Sequence, residues 1–184
     1  MAPTPVLDPA LPPAPGPSLA PLDVTMLADI VCGLAAAEPL WRPHVTHDPD
    51  LRARLRLLAT PAYEVWLLGW TPGQAVGLHD HGDANGAFVV VEGTLTESRL
   101  VGGRVVDRAR PIGAVGRVPR GAVHDVANRT DVLATSIHAY SWPLTSMGFY
   151  DPSGDRIGTE RVDAVPALVA SADVPRVLHP ASRR

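Results

Sequence analysis

Gly77-Leu78-His79-Asp80-His81 and Pro119-Arg120-Gly121-Ala122-Val123-His124 hold the residue types best suited to chemistry in this chain. Two histidines spaced i, i+2 lie on the same face of a β-strand, because successive strand side chains point to opposite faces. A third histidine after a Pro-x-Gly turn can come from a neighbouring strand. Three neutral imidazoles on one wall of a small barrel form half an octahedron around a divalent metal. The other half stays open, and open positions are what a metal needs to bind and activate a reactant. Asp80, between two of the histidines, is expected to face the other way and to be structural.

The elements that must position these groups are short strands behind one helix. From Asp23 to about Glu38, Leu27, Ile30, Val31 and Leu34 recur at helical spacing. Asp23 or Thr25 can cap the start and Pro39 stops the run. Cys32 is expected to pack there as a small buried apolar residue. From about residue 54 the texture turns to strands: 64–70, 87–100 with a break near Gly93, 103–107, 114–118, 123–128, 134–140 and 147–150. Strands this short, punctuated by Gly and Pro, predict an all-β sandwich or barrel. Residues 165–170 suggest a short C-terminal helix with Pro166 in its first turn. The expected organisation is an Ala/Pro-rich tail over 1–20, one domain over 21–170 and a C-terminal tail over 171–184. The first segment carries no Lys or Arg, and so reads as an extended tail rather than a signal peptide.

Bulk properties narrow the partners. A net charge of −3 over 184 residues, with scattered arginines, gives no reason to expect a nucleic-acid or anionic-membrane partner. No apolar run reaches the length of about 18–20 residues that a membrane span needs. The single cysteine excludes an internal disulfide framework and a cysteine-rich zinc site. It fits a reducing compartment, and a cytoplasmic monomer is expected.

The two histidine motifs sit in a wider frame. Gly73, His79, His81, Gly86 and Gly93 are followed by Gly113, Pro119, Gly121, His124 and Asn128. This pattern resembles the two signature motifs of the cupin superfamily, and implies a double-stranded β-helix barrel, or jelly roll, with an N-terminal helix. The usual cupin pattern has a glutamate ligand where Gly86 stands here. The resemblance then narrows to the cysteine dioxygenase (thiol dioxygenase) family, whose members bind metal through three histidines. Ser136-Ile137-His138-Ala139-Tyr140 is similar to that family's Ser-x-His-x-Tyr segment, a hydrogen-bond relay ending in a phenol beside the metal. Mammalian members carry a cysteine at the position of Gly86 that crosslinks to the tyrosine. With glycine there, as in bacterial relatives, that crosslink cannot form.

The resemblance implies iron(II), Fe(2+), held by His79, His81 and His124, and oxidation of a small thiol by O2, both oxygen atoms ending on a sulfinate. L-cysteine is the leading substrate. Imidazoles also suit zinc, copper and nickel, so the metal follows from the resemblance and not from the ligands alone. Tyr140 is expected to hydrogen-bond the substrate carboxylate or bound oxygen, with His138 and Ser136 orienting it. A satisfied core histidine is the alternative for His138, and a packing residue for Tyr140. An arginine one strand earlier binds the carboxylate in amino-acid-specific members. Arg56 fits that place best, and Arg54, on the same strand face, competes with it. Trp66 and Trp70 read as barrel core before substrate cage. His44, His47 and His179 read as surface residues. A 3-mercaptopropionate or other small-thiol dioxygenase, a non-catalytic ligand-binding cupin, and a zinc or nickel isomerase or lyase are the competing functions.

Overall fold

The computed structural model describes residues 20–162 and 166–170. Of the expected tails over 1–20 and 171–184, all but Ala20 lies outside the described residues, and so does His179. Helix α1 (Val24–Ala36) starts where Asp23 caps it, its side chain accepting from the backbone N–H groups of Thr25 and Met26. It ends two residues short of the expected Glu38, and a 3-10 turn with Pro39 follows over Glu38–Leu40. Leu27, Ala28 and Val31 form its buried face. Cys32 is on this helix but exposed, contrary to expectation, because it points away from that face.

Among the described residues eleven strands follow: β1 (Arg54–Ala59), β2 (Glu64–Trp70), β3 (Asn85–Glu92), β4 (Thr94–Val101), β5 (Arg104–Pro111), β6 (Val115–Val118), β7 (His124–Ala127), β8 (Ala134–Ser141), β9 (Ser146–Tyr150), β10 (Arg156–Arg161) and β11 (Ala167–Ala170). They build two facing layers. One is a sheet ordered β11-β1-β2-β8-β3-β6. The other joins the β5-β4-β7 sheet to the β10-β9 pair. The join is the stretch 75–79, through the bridges Ala75 to Ala127, His79 to His124 and His79 to Phe149. This is the double-stranded β-helix of a cupin, mostly strand with one N-terminal helix.

The period-two alternation of β2, β3 and β8 divides their side chains between two cores. Val65, Leu67, Ala87, Val89, Ile137 and Ala139 pack against α1. Trp66, Leu68, Trp70, Phe88, Val90 and Tyr140 face inward against Leu95 and Val126 of the second layer. Burial of a side chain such as Leu27 or Val31 contributes about 1.5–3 kcal/mol, so α1 is held to the sheet by its apolar face. Residues 167–170 are strand and not the expected helix, because they add in parallel to the edge of β1, Arg56 facing Ala167. Among the described residues, no single helix is long and apolar enough to cross a membrane.

Candidate metal centre

The two-histidine stretch is not a regular strand, as the spacing predicted, but a connector bonded on both sides. His79 N–H donates to the His124 carbonyl at 2.8 Å, and His124 N–H returns the bond at 2.9 Å. On the other side, Asp80 N–H donates to the Gly148 carbonyl and Tyr150 N–H to the Leu78 carbonyl, each at 2.9 Å. Asp80 does point away from the histidines. Its carboxylate accepts from the N–H groups of Gly82 and Gly148 at 2.9 and 3.0 Å, and from the Tyr150 hydroxyl. His124 enters β7 from a tight turn in which Ala122 N–H donates to the Pro119 carbonyl, with Gly121 at φ 76°.

These supports aim three buried rings at one point. The centroids of His79, His81 and His124 lie 4.7–5.2 Å apart. Their ligand atoms fall within 4.8 Å of one another. His79 Nδ1 is 2.8 Å from the Gly77 carbonyl, which fixes the proton on Nδ1 and leaves Nε2 with a lone pair. His124 Nδ1 is 3.2 Å from Glu97 Oε1, with the same consequence for its Nε2. His81 Nε2 stands 3.3 Å from His124 Nε2, and its buried Nδ1 has no partner. Burial, then the nearby His124, holds His79 down to about 3. The same causes keep His81 well below the ordinary imidazole range. Converging imidazole nitrogens, with lone pairs on Nε2 of His79 and His124, are the donor set of a divalent ion, and the residues fit one.

Ser136, His138 and Tyr140 alternate along β8 and form a chain beside these rings. Trp70 Nε1–H donates to Ser136 Oγ at 2.8 Å. Ser136 Oγ lies 2.8 Å from His138 Nε2, and the Tyr140 hydroxyl 3.2 Å from His138 Nδ1. His138 stacks on Phe88, centroids 5.1 Å apart at 15°. Burial pushes the imidazole of His138 well down and the phenol of Tyr140 up, so both are neutral near pH 7. Tyr140 meets His81 edge-on at 4.8 Å.

The cavity at this point is lined by His79, His124, His138 and Tyr140 together with Arg52 and Arg54. Trp66 and Trp70 are buried in the barrel core and line it too. Arg56 is elsewhere. It pairs with Glu64 Oε2 at 2.9 Å and lines an adjacent cavity with Thr145 and Arg161. His47, expected at the surface, is half-buried with Nε2 3.0 Å from the Ala134 carbonyl. Sequence reasoning missed two residues. Arg52 lies two positions before β1, and its i, i+2 relation to Arg54 is the signal that could have raised it. Glu97 stands in the middle of β4 at i+2 from Leu95, and a charge on the strand face of that apolar residue is the signal.

Two sheets enclosing three converging imidazoles define a cupin with the donor set for one metal ion. The family model for cysteine dioxygenase type I matches residues 19–153, and the chain belongs to that family of dioxygenase-type oxidoreductases. No curated protein matches the chain. Among solved structures, a Thermus thermophilus protein is 19% identical, with a TM-score of 0.51 over 55% of this chain and 93% of that one. A double-stranded β-helix protein of Klebsiella pneumoniae is 16% identical, with a TM-score of 0.49 over 67% and 94%. A cupin 2 barrel protein of Salinispora arenicola is 24% identical, with a TM-score of 0.44 over 55% and 84%. At such identities the likeness concerns the fold alone.

Proposed function

We propose that the protein is an iron(II) thiol dioxygenase, joining a small carboxylate-bearing thiol and O2 into the sulfinic acid, with L-cysteine the first substrate. The observation that carries this reading is one cavity lined by His79 and His124 of the three-histidine set together with Tyr140 and Arg52. His79, His81 and His124 would hold the metal, which when bound supplies open positions for a thiolate and O2. Tyr140, neutral because it is buried, would offer its hydroxyl to the substrate. His138, Ser136 and Trp70 fix the direction of that hydroxyl through consecutive hydrogen bonds. Arg52 reaches the cavity with its guanidinium 5.0 Å over the Trp70 ring, and its role is to hold the substrate carboxylate. Leu68, Val76, Val126 and Met147 give the remaining wall an apolar lining that limits water.

A second reading, 3-mercaptopropionate as substrate, has its own support. No Asp or Glu is among the residues lining the cavity, so none of them pairs with the ammonium group that distinguishes cysteine. An oxygen-electrode screen of the iron-loaded protein against L-cysteine, 3-mercaptopropionate and cysteamine decides between these. One O2 is expected per thiol, with both atoms of labelled O2 recovered in the sulfinate. Disulfide as the main product, or release of hydrogen peroxide, overturns the dioxygenase reading.

A further inference from the structure

Glu97 is 1% exposed and stands in the middle of β4. Arg99 of β4 faces His124 of β7, and Glu97 faces Val126. Glu97 is therefore the diagonal neighbour of His124 on one face of the pair. Its Oε1 accepts from His124 Nδ1 at 3.2 Å and from Arg99 Nε at 2.9 Å. Its Oε2 accepts from Arg110 Nε at 2.9 Å and from Arg110 Nη2. Arg110 is itself tied by a 3.1 Å bond to the Val115 carbonyl, and Arg99 by a bond to the Arg117 carbonyl. The carboxylate is thus clamped from two sides.

Stability alone does not account for this arrangement. A buried ion cluster is often no better than well-packed apolar residues of the same volume, because desolvation offsets the attraction. Position is the informative feature. His79 donates its Nδ1–H to a backbone carbonyl, and among the described residues His81 Nδ1 has no partner. Among the described residues, Glu97 is the one carboxylate hydrogen-bonded to a member of the three-histidine set. A carboxylate on the outer nitrogen of a metal-binding imidazole fixes its tautomer and raises its basicity.

We infer that Glu97 is a positioning residue for the metal: it fixes the His124 tautomer with Nε2 facing inward and strengthens that nitrogen as a donor, while Arg99 and Arg110 hold the carboxylate in place. This rests on the three histidines binding a metal and not on the identity of the thiol. Co(II) titration of the metal-free protein in competition with a chelating dye tests it without substrate or O2. Glu97→Gln should weaken Co(II) binding by about 10–100-fold and shift the ligand-field absorption bands. Glu97→Gln leaves the buried Arg110 and the half-buried Arg99 without their shared carboxylate, so Glu97→Gln/Arg110→Gln serves as the partner variant. It removes one of those charges and should keep the same affinity loss with a recovered melting temperature. Arg110→Gln alone keeps the bond to His124 and should bind within about threefold of wild type on the same scale. If a folded Glu97→Gln or double variant binds Co(II) as tightly as wild type with the same spectrum, Glu97 is merely structural and the inference fails. Wild-type protein that takes up no Co(II) overturns the metal site and this inference with it. Wild-type protein that binds Co(II) but oxidises no thiol when iron-loaded overturns only the proposed reaction.

Discussion

Arg52 lines the cavity of the candidate metal centre, and among the described residues its buried Nε has no hydrogen-bond partner. Burial lowers its pKa, a cost that an incoming carboxylate would offset. A charge-assisted bond of this kind contributes about 1.5–3 kcal/mol, or roughly ten- to a hundredfold in kcat/KM. Arg52→Ala should lower kcat/KM for L-cysteine by that factor and leave cysteamine, which lacks the carboxylate, unchanged. Arg56→Ala should act on stability instead, since it strips a partner from Glu64, which is 1% exposed and also accepts from Leu144 N–H. If the carboxylate-dependent loss follows Arg54→Ala or Arg56→Ala, Arg52 is not the anchor. Gly86 faces Tyr140 across β3 and β8. A Cβ there would stand 2.8 Å from His81 Nδ1 and 3.3 Å from Tyr140 Cδ1. Gly86→Ala should therefore displace the His81 ring and weaken metal binding, read by the same Co(II) titration. Gly86→Cys brings a thiol within reach of the phenol only as His81 gives way, so any thioether mass loss should accompany metal loss. A variant that binds metal normally shows that His81 tolerates the added carbon.

The elements differ in how openly the sequence displays them. β2 is buried on both faces and appears as a continuous apolar run, and its limits over 64–70 agree with the expectation. The break between β3 and β4 falls at Gly93, where φ is 69° and a Cβ would lie 2.4 Å from the Leu133 carbonyl. Only glycine fits there, which is why the punctuation was legible. β10 was missed because all six residues are exposed, so no apolar alternation marks it. β11 was misread because pairing with β1 outweighs a local helical preference. At the site, the grouping of His79, His81 and His124 and the alignment of Ser136, His138 and Tyr140 are readable from residue type and spacing. The places of Arg52 and Glu97 are not, because they depend on what other elements bring against them. The two-histidine connector depends on neighbouring elements in the same way, and Asp80 is its anchor to β9. Asp80→Ala would leave the buried N–H of Gly148 without its side-chain acceptor and release the Tyr150 hydroxyl. An unmade buried bond costs about 1–3 kcal/mol. A lower melting temperature is expected, with metal affinity falling because His79 and His81 are no longer fixed. Unchanged metal affinity would show that the backbone bonds to β7 and β9 hold the connector without the Asp80 carboxylate.

For the whole molecule, these buried groups make stability depend on pH in a definite direction. His79 titrates at about 3 in the fold because burial, then His124, disfavours its charged form. Unfolded, it takes a proton below about 6.5. Between those limits the unfolded chain binds the extra proton, so stability is full above about 6.5 and declines as the pH falls towards 3. His81 and His138, both well below the usual range, act in the same sense. Burial alone would raise the Glu97 carboxyl, but hydrogen bonds from His124, Arg99 and Arg110 outweigh it and hold the group at about 2. Its contribution is present above its unfolded pKa of 4.5 and lost as the pH falls to about 2. One fully titrating group changes stability by about 1.4 kcal/mol per pH unit. By pH 5 His79 alone therefore accounts for about 2 kcal/mol, against a total of roughly 5–15 kcal/mol for a domain. The metal-free protein should show a level melting temperature from pH 8 to 7 and a steady fall from 6.5 to 4. Bound metal adds stability only to the folded state, and protons compete for the same nitrogens. The gap between metal-loaded and metal-free melting temperatures should thus be widest at neutral pH and close on acidification. Differential scanning calorimetry of both forms across this range measures it, and a metal-free melting temperature that stays level from pH 7 to 5 would show that these imidazoles are not held neutral by the fold.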